Sequence, residues 1–307
     1  MLDVHQLKVQ HVLFEYVQCD EEIYIFNTKN DRMVKTTSEM ITYLETYKPD
    51  NIHNDPAIDK FIFGAGKRKF LEFKLKGFSI PKQFFSTFLH FMEFKYTSIL
   101  CKLFAIIGVL LLPIFLQKGF NSYAAGTTEF SWLMVLVLYV SQIVITMLHE
   151  LGHYYYYQKY ITSNKFRFGF LLRYFFLFMF YTNVNFMDHL SKRKQLKIMI
   201  AGVQTQWIIS GVLCTVMLFK TSEFLLMLFF LNLLNIVINL VPFIKTDGYW
   251  IINLLIGSDD YMLGFKNWIR RKNKSIKGSE LLLATFNIVV ITYVLVNGLT
   301  RIIQIIF

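Results

Sequence analysis

Charge is scarce in this chain. Of its 307 residues only 17% are Asp, Glu, Lys or Arg, against 54% hydrophobic and 17% aromatic, and the mean hydropathy is +0.42. A water-soluble protein of this length exposes more charge than that, so the balance argues against an ordinary soluble enzyme. Cysteine is scarcer still. Cys19, Cys101 and Cys214 lie far apart and form no C-x-x-C pair, which excludes a disulfide framework and a cysteine-rich zinc site. There is no internal repeat and no low-complexity tract. No cleavable signal peptide is expected, because the first strongly apolar run begins near Ser98, and the residues before it are expected to stay in the compartment of synthesis. The formal net charge of +11 invites nucleic acid. The basic residues, however, cluster beside apolar runs, the pattern of cytoplasmic membrane loops, and no nucleic-acid partner is expected.

What is present is a series of apolar runs close to the roughly 20 residues that cross a bilayer. They predict spans near 98–116, 131–153, 198–219, 224–244 and 281–303. The expected fold class is a membrane all-α protein, a polytopic helical bundle over residues 98–307. Ahead of it, residues 1–80 read as a small cytoplasmic α+β domain. Glu21 to Asn27 alternates as a strand, Thr28-Lys-Asn-Asp31 supplies a turn before a short strand at Met33-Val34, and Thr36-Thr-Ser-Glu39 starts a helix. Residues 81–97 read as an interfacial lead-in. The aromatic segment 166–186 carries Arg167 and Arg173, and is expected to form a hairpin or re-entrant piece rather than a span. Basic loops at Lys192-Arg-Lys194 and Arg270-Arg-Lys272 alternate with near-neutral connections. Positive-inside then puts the N-terminal domain in the cytoplasm and the C-terminus outside.

At the end of the second apolar run stands His149-Glu150-Leu-Gly-His153. On a helix, His149 and His153 project from one face and can bind a single zinc ion, with Glu150 beside them to take a proton from the attacking water. In hydrocarbon an ionisable group costs about 2.5–3.5 kcal/mol unless partnered, so such a cluster in an apolar helix implies a use. Catalytic zinc sites have three protein ligands. Asp247, in Asn239-Leu-Val-Pro242-Phe-Ile-Lys-Thr-Asp247-Gly248, is the candidate third, placed after a proline-interrupted helix end and before a glycine that frees the backbone. Zinc would also neutralise an otherwise awkward pair of acids, Glu150 and Asp247. His189 with Asp188 is the rival ligand source, but lies in a Lys/Arg loop and is expected to be solvated. Tyr154 to Tyr157 are expected to form an interfacial aromatic belt.

H-E-x-x-H on one apolar helix and N-x-x-P-x-x-x-x-D-G on a later one resemble the site-2 protease class of intramembrane zinc metalloproteases. Ala201-Gly202, opening the next span, fits the same core, so the resemblance covers 131–248. It implies His149, His153 and Asp247 as zinc ligands, Glu150 as the general base, and Asn239 as a residue that positions substrate or the developing oxyanion. The run from Leu71-Glu-Phe-Lys-Leu-Lys76 through Pro81, and Tyr181-Thr-Asn-Val-Asn185 before Ser191-Lys-Arg-Lys194, look more like one branch. That branch is the peptide zinc metalloproteases found beside genes for modified peptides. The N-terminal domain resembles the PqqD-like peptide-recognition domains of those pathways. Thr246 departs from the leucine that many relatives carry there, which touches local packing and not the ligand.

The expected function is therefore a zinc-dependent endopeptidase of the bacterial cell membrane, active on its cytoplasmic side. Its substrate would be a small, modified peptide or a membrane-protein segment, and a peptide-modifying enzyme or exporter encoded nearby would be a partner. The alternative is a non-catalytic peptide-binding membrane protein serving export or immunity, although an intact Glu150 is then unneeded. A metal transporter would spread polar residues through several spans, whereas here they concentrate at one end.

Overall fold

The structure is a computed structural model that describes residues 2–19, 22–47, 55–64, 72–74, 77–93, 95–124, 131–163, 165–173, 177–273 and 275–306. In chain order the elements are β1 (Leu2–Asp3), β2 (His5–Val9), β3 (Val12–Cys19), β4 (Glu22–Asn27), β5 (Arg32–Thr36), α1 (Ser38–Glu45) and α2 (Pro56–Phe63). There follow β6 (Glu72–Lys74), β7 (Phe78–Pro81), α3 (Gln83–Glu93), α4 (Lys95–Ala124), α5 (Trp132–Tyr160), β8 (Ile161–Thr162), β9 (Lys165–Arg173) and β10 (Leu177–Thr182). After a 3-10 turn at Met187–His189 come α6 (Lys192–Phe219), α7 (Glu223–Leu240), α8 (Asp247–Ile256), α9 (Tyr261–Ile269) and α10 (Gly278–Ile306). The chain divides into two compact units, residues 1–103 with 143–202 and residues 104–142 with 203–307.

The first unit is built on an antiparallel sheet in the order β2-β3-β4-β5. A two-residue turn, with Gln10 in the left-handed region at φ 52°, joins β2 to β3; positive φ is what such tight hairpin turns require. Side chains alternate between sheet faces, and here both faces are buried. Leu7, Val12, Phe14, Ile23 and Ile25 meet Ile41 and Leu44 of α1 and Ile62 of α2. The opposite face presents Val17 and Phe26 to Tyr154, Tyr157, Ile161, Phe166 and Phe186. Glu15 shares that second face and is 6% exposed. Burial pushes its carboxyl up, and Arg167, Gln6 and Lys165 draw it back only in part. The end of α2 is tied to the sheet by two asparagines: Asn27 Nδ2 donates to the Phe61 and Ile62 carbonyls, and Asn30 Nδ2 to those of Phe61 and Gly64. These are the carbonyls that a helix end leaves without internal partners.

The strand expected from Glu21 to Asn27 is present over Glu22–Asn27, Glu21 lying outside the described residues. The strand at Met33-Val34 and the helix after Thr36 are present, but β2 and β3 were not anticipated. The segment after the histidine motif forms the antiparallel pair β9–β10, with Phe170 opposite Phe180. β6 and β7, from the stretch before the first span, add to the other edge of β9. Short β1 runs parallel to β8, pairing Leu2 with Ile161.

Among the described residues five helices are long and apolar enough to cross a membrane: Thr97–Ala124, Trp132–Tyr160, Lys192–Phe219, Glu223–Leu240 and Gly278–Gly298. Their bounds differ from expectation in one informative place. α7 stops at Leu240 and not near residue 244, because Val241 turns extended ahead of Pro242, as residues before proline tend to. α4 carries Pro113 in its interior yet continues, which neighbouring helices permit in membrane proteins. Ile106, Val109, Leu110 and Ile114 on α4 are exposed, the apolar surface that lipid would cover. In the second unit α4 and α6 approach at backbone distance, since a Cβ on Gly211 would lie 1.7 Å from the Phe104 carbonyl oxygen; small residues allow that approach. Asn232 of α7, fully buried, donates to the Gln206 carbonyl at 2.9 Å and to Ser210 Oγ at 2.8 Å on α6. Replacing it by leucine should destabilise the protein by about 0.6–1.7 kcal/mol, measured by unfolding in mixed micelles; an unchanged midpoint would remove the interhelical role of Asn232.

Candidate metal centre

The site is set by helical periodicity. α5 runs unbroken from Trp132 through the motif to Tyr160, so His149 and His153 fall one turn apart on the same face. Both are buried, at 4% and 8% exposure, and their Nε2 atoms stand 3.1 Å apart with the rings nearly perpendicular at 80°. Nitrogens bound tetrahedrally to one zinc at about 2.0–2.1 Å would lie about 3.3–3.4 Å apart. His153 Nδ1 is 2.7 Å from the Ile198 carbonyl oxygen. A carbonyl accepts only, so Nδ1 carries the proton and Nε2 presents its lone pair. The ligand atoms of His149, Glu150 and His153 all lie within 4.8 Å of one another, with Glu150 less buried than the histidines.

Two further observations bear on whether the group suits a metal ion. The two imidazoles are donors that zinc accepts, and the Glu150 carboxylate beside them is the kind of group that takes a proton from water at such a site. Gly202 of α6 leaves a cradle beside it: a Cβ there would stand 2.4 Å from His149 Cε1, 2.4 Å from His153 Nε2 and 2.5 Å from His149 Nε2. The residues fit. Gly202 entered the sequence reading only through a family resemblance; its physical reason is this clearance. Around the motif, Thr182 at the end of β10 donates to the Glu150 carbonyl at 3.3 Å, and Tyr157 donates to the Asn185 carbonyl at 2.6 Å. Tyr154 and Tyr157 are 2% and 4% exposed inside the first unit, so the aromatic-belt reading fails for these two. They are the core between the helix end and the N-terminal sheet. His189 also departs from expectation, with its ring 3.8 Å from that of Tyr24 and its imidazole held below the usual range by burial, against the pull of Asp188 and Glu22.

Asp247 and Asn239 belong to the second unit. Asp247 is the first residue of α8, and Thr246 is 4% exposed with Oγ1 reaching the Ile238 and Asn239 carbonyls at 3.1 and 3.3 Å. The departure from leucine at Thr246 thus supplies a hydroxyl to the end of α7. Gly248 is helical, and its role is clearance rather than backbone freedom, since a Cβ there would lie 2.2 Å from the Leu240 carbonyl oxygen. Asn239 Nδ2 donates to Gln206 Oε1 at 3.2 Å.

Sequence reading missed the polar network behind this turn. Asp260 caps α9 through the Leu263 amide and takes Lys245 and the Tyr249 hydroxyl as partners. Tyr261 donates to the Pro242 carbonyl at 2.8 Å and accepts from Asn287 Nδ2 at 2.8 Å. Burial works against the Asp260 carboxylate, but Lys245, Tyr249 and the Leu263 amide together hold it below the usual carboxylate range. Polar residues scattered over three helices and the turns between them give no periodic signal that could have revealed this.

The chain is similar to the protein named "Putative peptide zinc metalloprotease protein YydH" of Bacillus subtilis (strain 168). The two are 28% identical over 195 residues, which is 63% of this chain and 71% of that protein. No family profile matches, and no solved structure matches. The similarity agrees with the resemblance drawn from the two motifs and supports a metalloprotease at the family level.

Two outcomes follow from the geometry. Gly202→Ala should weaken zinc binding at least about tenfold, read by chelator competition on the purified protein; wild-type affinity would show the cradle to be dispensable. Asp260→Asn should destabilise the protein by about 1–3 kcal/mol. Because the folded carboxyl is held low, its contribution is fully present above about pH 3.9 and is lost as pH falls through the lower folded value. The difference between wild type and Asp260→Asn should therefore shrink in acid, and a difference that grows there would contradict the assignment.

Proposed function

We propose that this protein is an intramembrane zinc metalloendopeptidase that processes a small peptide, with or without a post-translational modification, or a membrane-protein segment. The observation that carries the reading is the convergence of His149, Glu150 and His153 within 4.8 Å on a helix long and apolar enough to cross a membrane. His149 and His153 would hold the metal. Asp247 is proposed as the third ligand on the strength of its motif. When bound, zinc supplies a Lewis acid that polarises the scissile carbonyl and brings the pKa of a water toward neutrality.

The remaining chemistry falls to the chain. Glu150 takes the proton of the attacking water and returns it to the leaving amine. The Ile198 carbonyl keeps His153 in the tautomer that leaves Nε2 free of a proton. A helical substrate shields its carbonyls, so the scissile segment must be extended, and strand pairing replaces the lost helical hydrogen bonds. β10 is the terminal strand of its sheet among the described residues and reaches Glu150 through Thr182; its edge is the proposed pairing surface. Asn239 is proposed to position substrate, since a side-chain amide has two N–H donors and Gln206 engages this one from the neighbouring helix. Charge in the loops supports a cytoplasmic site and N-terminal domain in the bacterial cell membrane. The bilayer is then a partner, and so is a peptide-modifying enzyme or exporter encoded nearby.

Glu150→Gln should retain zinc yet lose about 100- to 10,000-fold in cleavage rate of a candidate peptide in proteoliposomes, while Asp247→Ala should lose metal. Cleavage unchanged in Glu150→Gln would remove Glu150 as the base and overturn this reading, and no cleavage by wild type would leave the non-catalytic peptide-binding reading in its place. Equal zinc content in Asp247→Ala and wild type would remove Asp247 as a ligand.

A further inference from the structure

Within the first unit a short chain of polar contacts leads from the N-terminal sheet to the backbone of Glu150. It begins at Glu15 on β3, whose Oε1 lies 2.9 Å from Arg167 Nη2 on β9, with side-chain exposures of 7% and 16%. Gln6 Nε2 reaches the same oxygen at 3.4 Å. The Arg167 carbonyl in turn accepts the Asn183 amide at 2.9 Å, just beyond the end of β10. The preceding residue, Thr182, pairs with Phe168 and donates to the Glu150 carbonyl at 3.3 Å. Each link is a directional contact, and the first is an ion pair withdrawn from solvent, where losing one partner strands the other.

A purely apolar contact would have sufficed to join the two layers. Phe26 on Phe186 and Val17 beside Tyr157 already do so. An apolar interface tolerates sliding, whereas a buried charge pair fixes register. Arg167 sits in the middle of the sheet, between β7, where it is opposite Ser79, and the β10 side. Fixing its side chain therefore fixes β9, and with it the strand that ends at Glu150.

We infer that the Glu15–Arg167 pair is a positioning device by which the N-terminal sheet sets where the β10 edge lies beside Glu150, and so governs how an extended peptide binds there. The kinetic part of this inference rests on the proteolytic reading; the structural part does not. Neither residue touches the substrate or the metal. Both act through β9 and β10.

The test uses the full chain in lipid nanodiscs. In Glu15→Gln, amide exchange over 177–183 should speed up by about tenfold or more, with exchange over 192–219 unchanged. Arg167→Lys keeps the charge but not the planar fork and is the milder variant, expected to fold and to raise exchange over 177–183 by about threefold. Wild-type exchange over 177–183 in Arg167→Lys, or an equal rise over 192–219, overturns the inference. In peptide cleavage the KM of Glu15→Gln should rise about tenfold with kcat changed less than about threefold, as loss of binding shared equally by ground state and transition state requires. A fall confined to kcat overturns the binding role. If wild type releases no product, the proteolytic reading fails by itself, and the exchange comparison still decides whether the pair positions β10.

Discussion

Two buried imidazoles one helical turn apart can converge on a single point only if the neighbouring backbone yields the space. Here that constraint is met by Gly202, whose missing side chain leaves room for both rings, and by the Ile198 carbonyl, which fixes the proton of one of them. Both come from the first turns of α6, so the start of that helix is fitted to the motif on α5. The loop before it is held accordingly: Gln195 Nε2 donates to the Leu190 carbonyl at 2.8 Å and to the Asp188 carbonyl at 3.2 Å, satisfying groups that the irregular chain would otherwise bury without partners.

The N-terminal sheet shows how a small unit can serve two cores at once. One face closes over α1 and α2, and the other covers the end of α5 together with β9 and the turn after β10. Its second face carries both an apolar surface and a charged residue, Glu15. The apolar part supplies burial without direction, and the ion pair supplies direction. The aromatic rings of Tyr154, Tyr157, Phe166 and Phe186 fill the layer between, so this part of the chain has the character of a soluble interior.

The legible features were those with a period or a fixed spacing. The five apolar helices could be read from length, and His149, Glu150 and His153 from the i, i+4 rule, because helix geometry alone brings them together. β2 and β3 were missed because Val12, Leu13, Phe14 and Val17 put apolar residues on both faces of β3 and leave no clean alternation. Gly202 could be noticed but not explained, and Gly248 was credited with backbone freedom, since clearance depends on what approaches from another helix. Tyr154 and Tyr157 were misplaced for a related reason: tyrosines at the end of an apolar helix look alike whether membrane or protein covers them. The network of Asp260, Tyr249, Lys245 and Asn287 had no sequence signature, as its members meet only through the turns between α7, α8, α9 and α10.

The parallel pairing of Leu2 with Ile161, with Val4 donating to the Thr162 carbonyl at 3.0 Å, has a consequence for biosynthesis. The two partners are separated by just over half of the chain. At about 5–20 residues per second, translation brings Ile161 into existence roughly 8–30 s after Leu2. β2 to β5 can close locally within that interval, but β1 and the second face of the sheet must wait for the end of α5. That face, with Val17 and Phe26 uncovered, is for those seconds a surface in need of a chaperone or of the membrane itself.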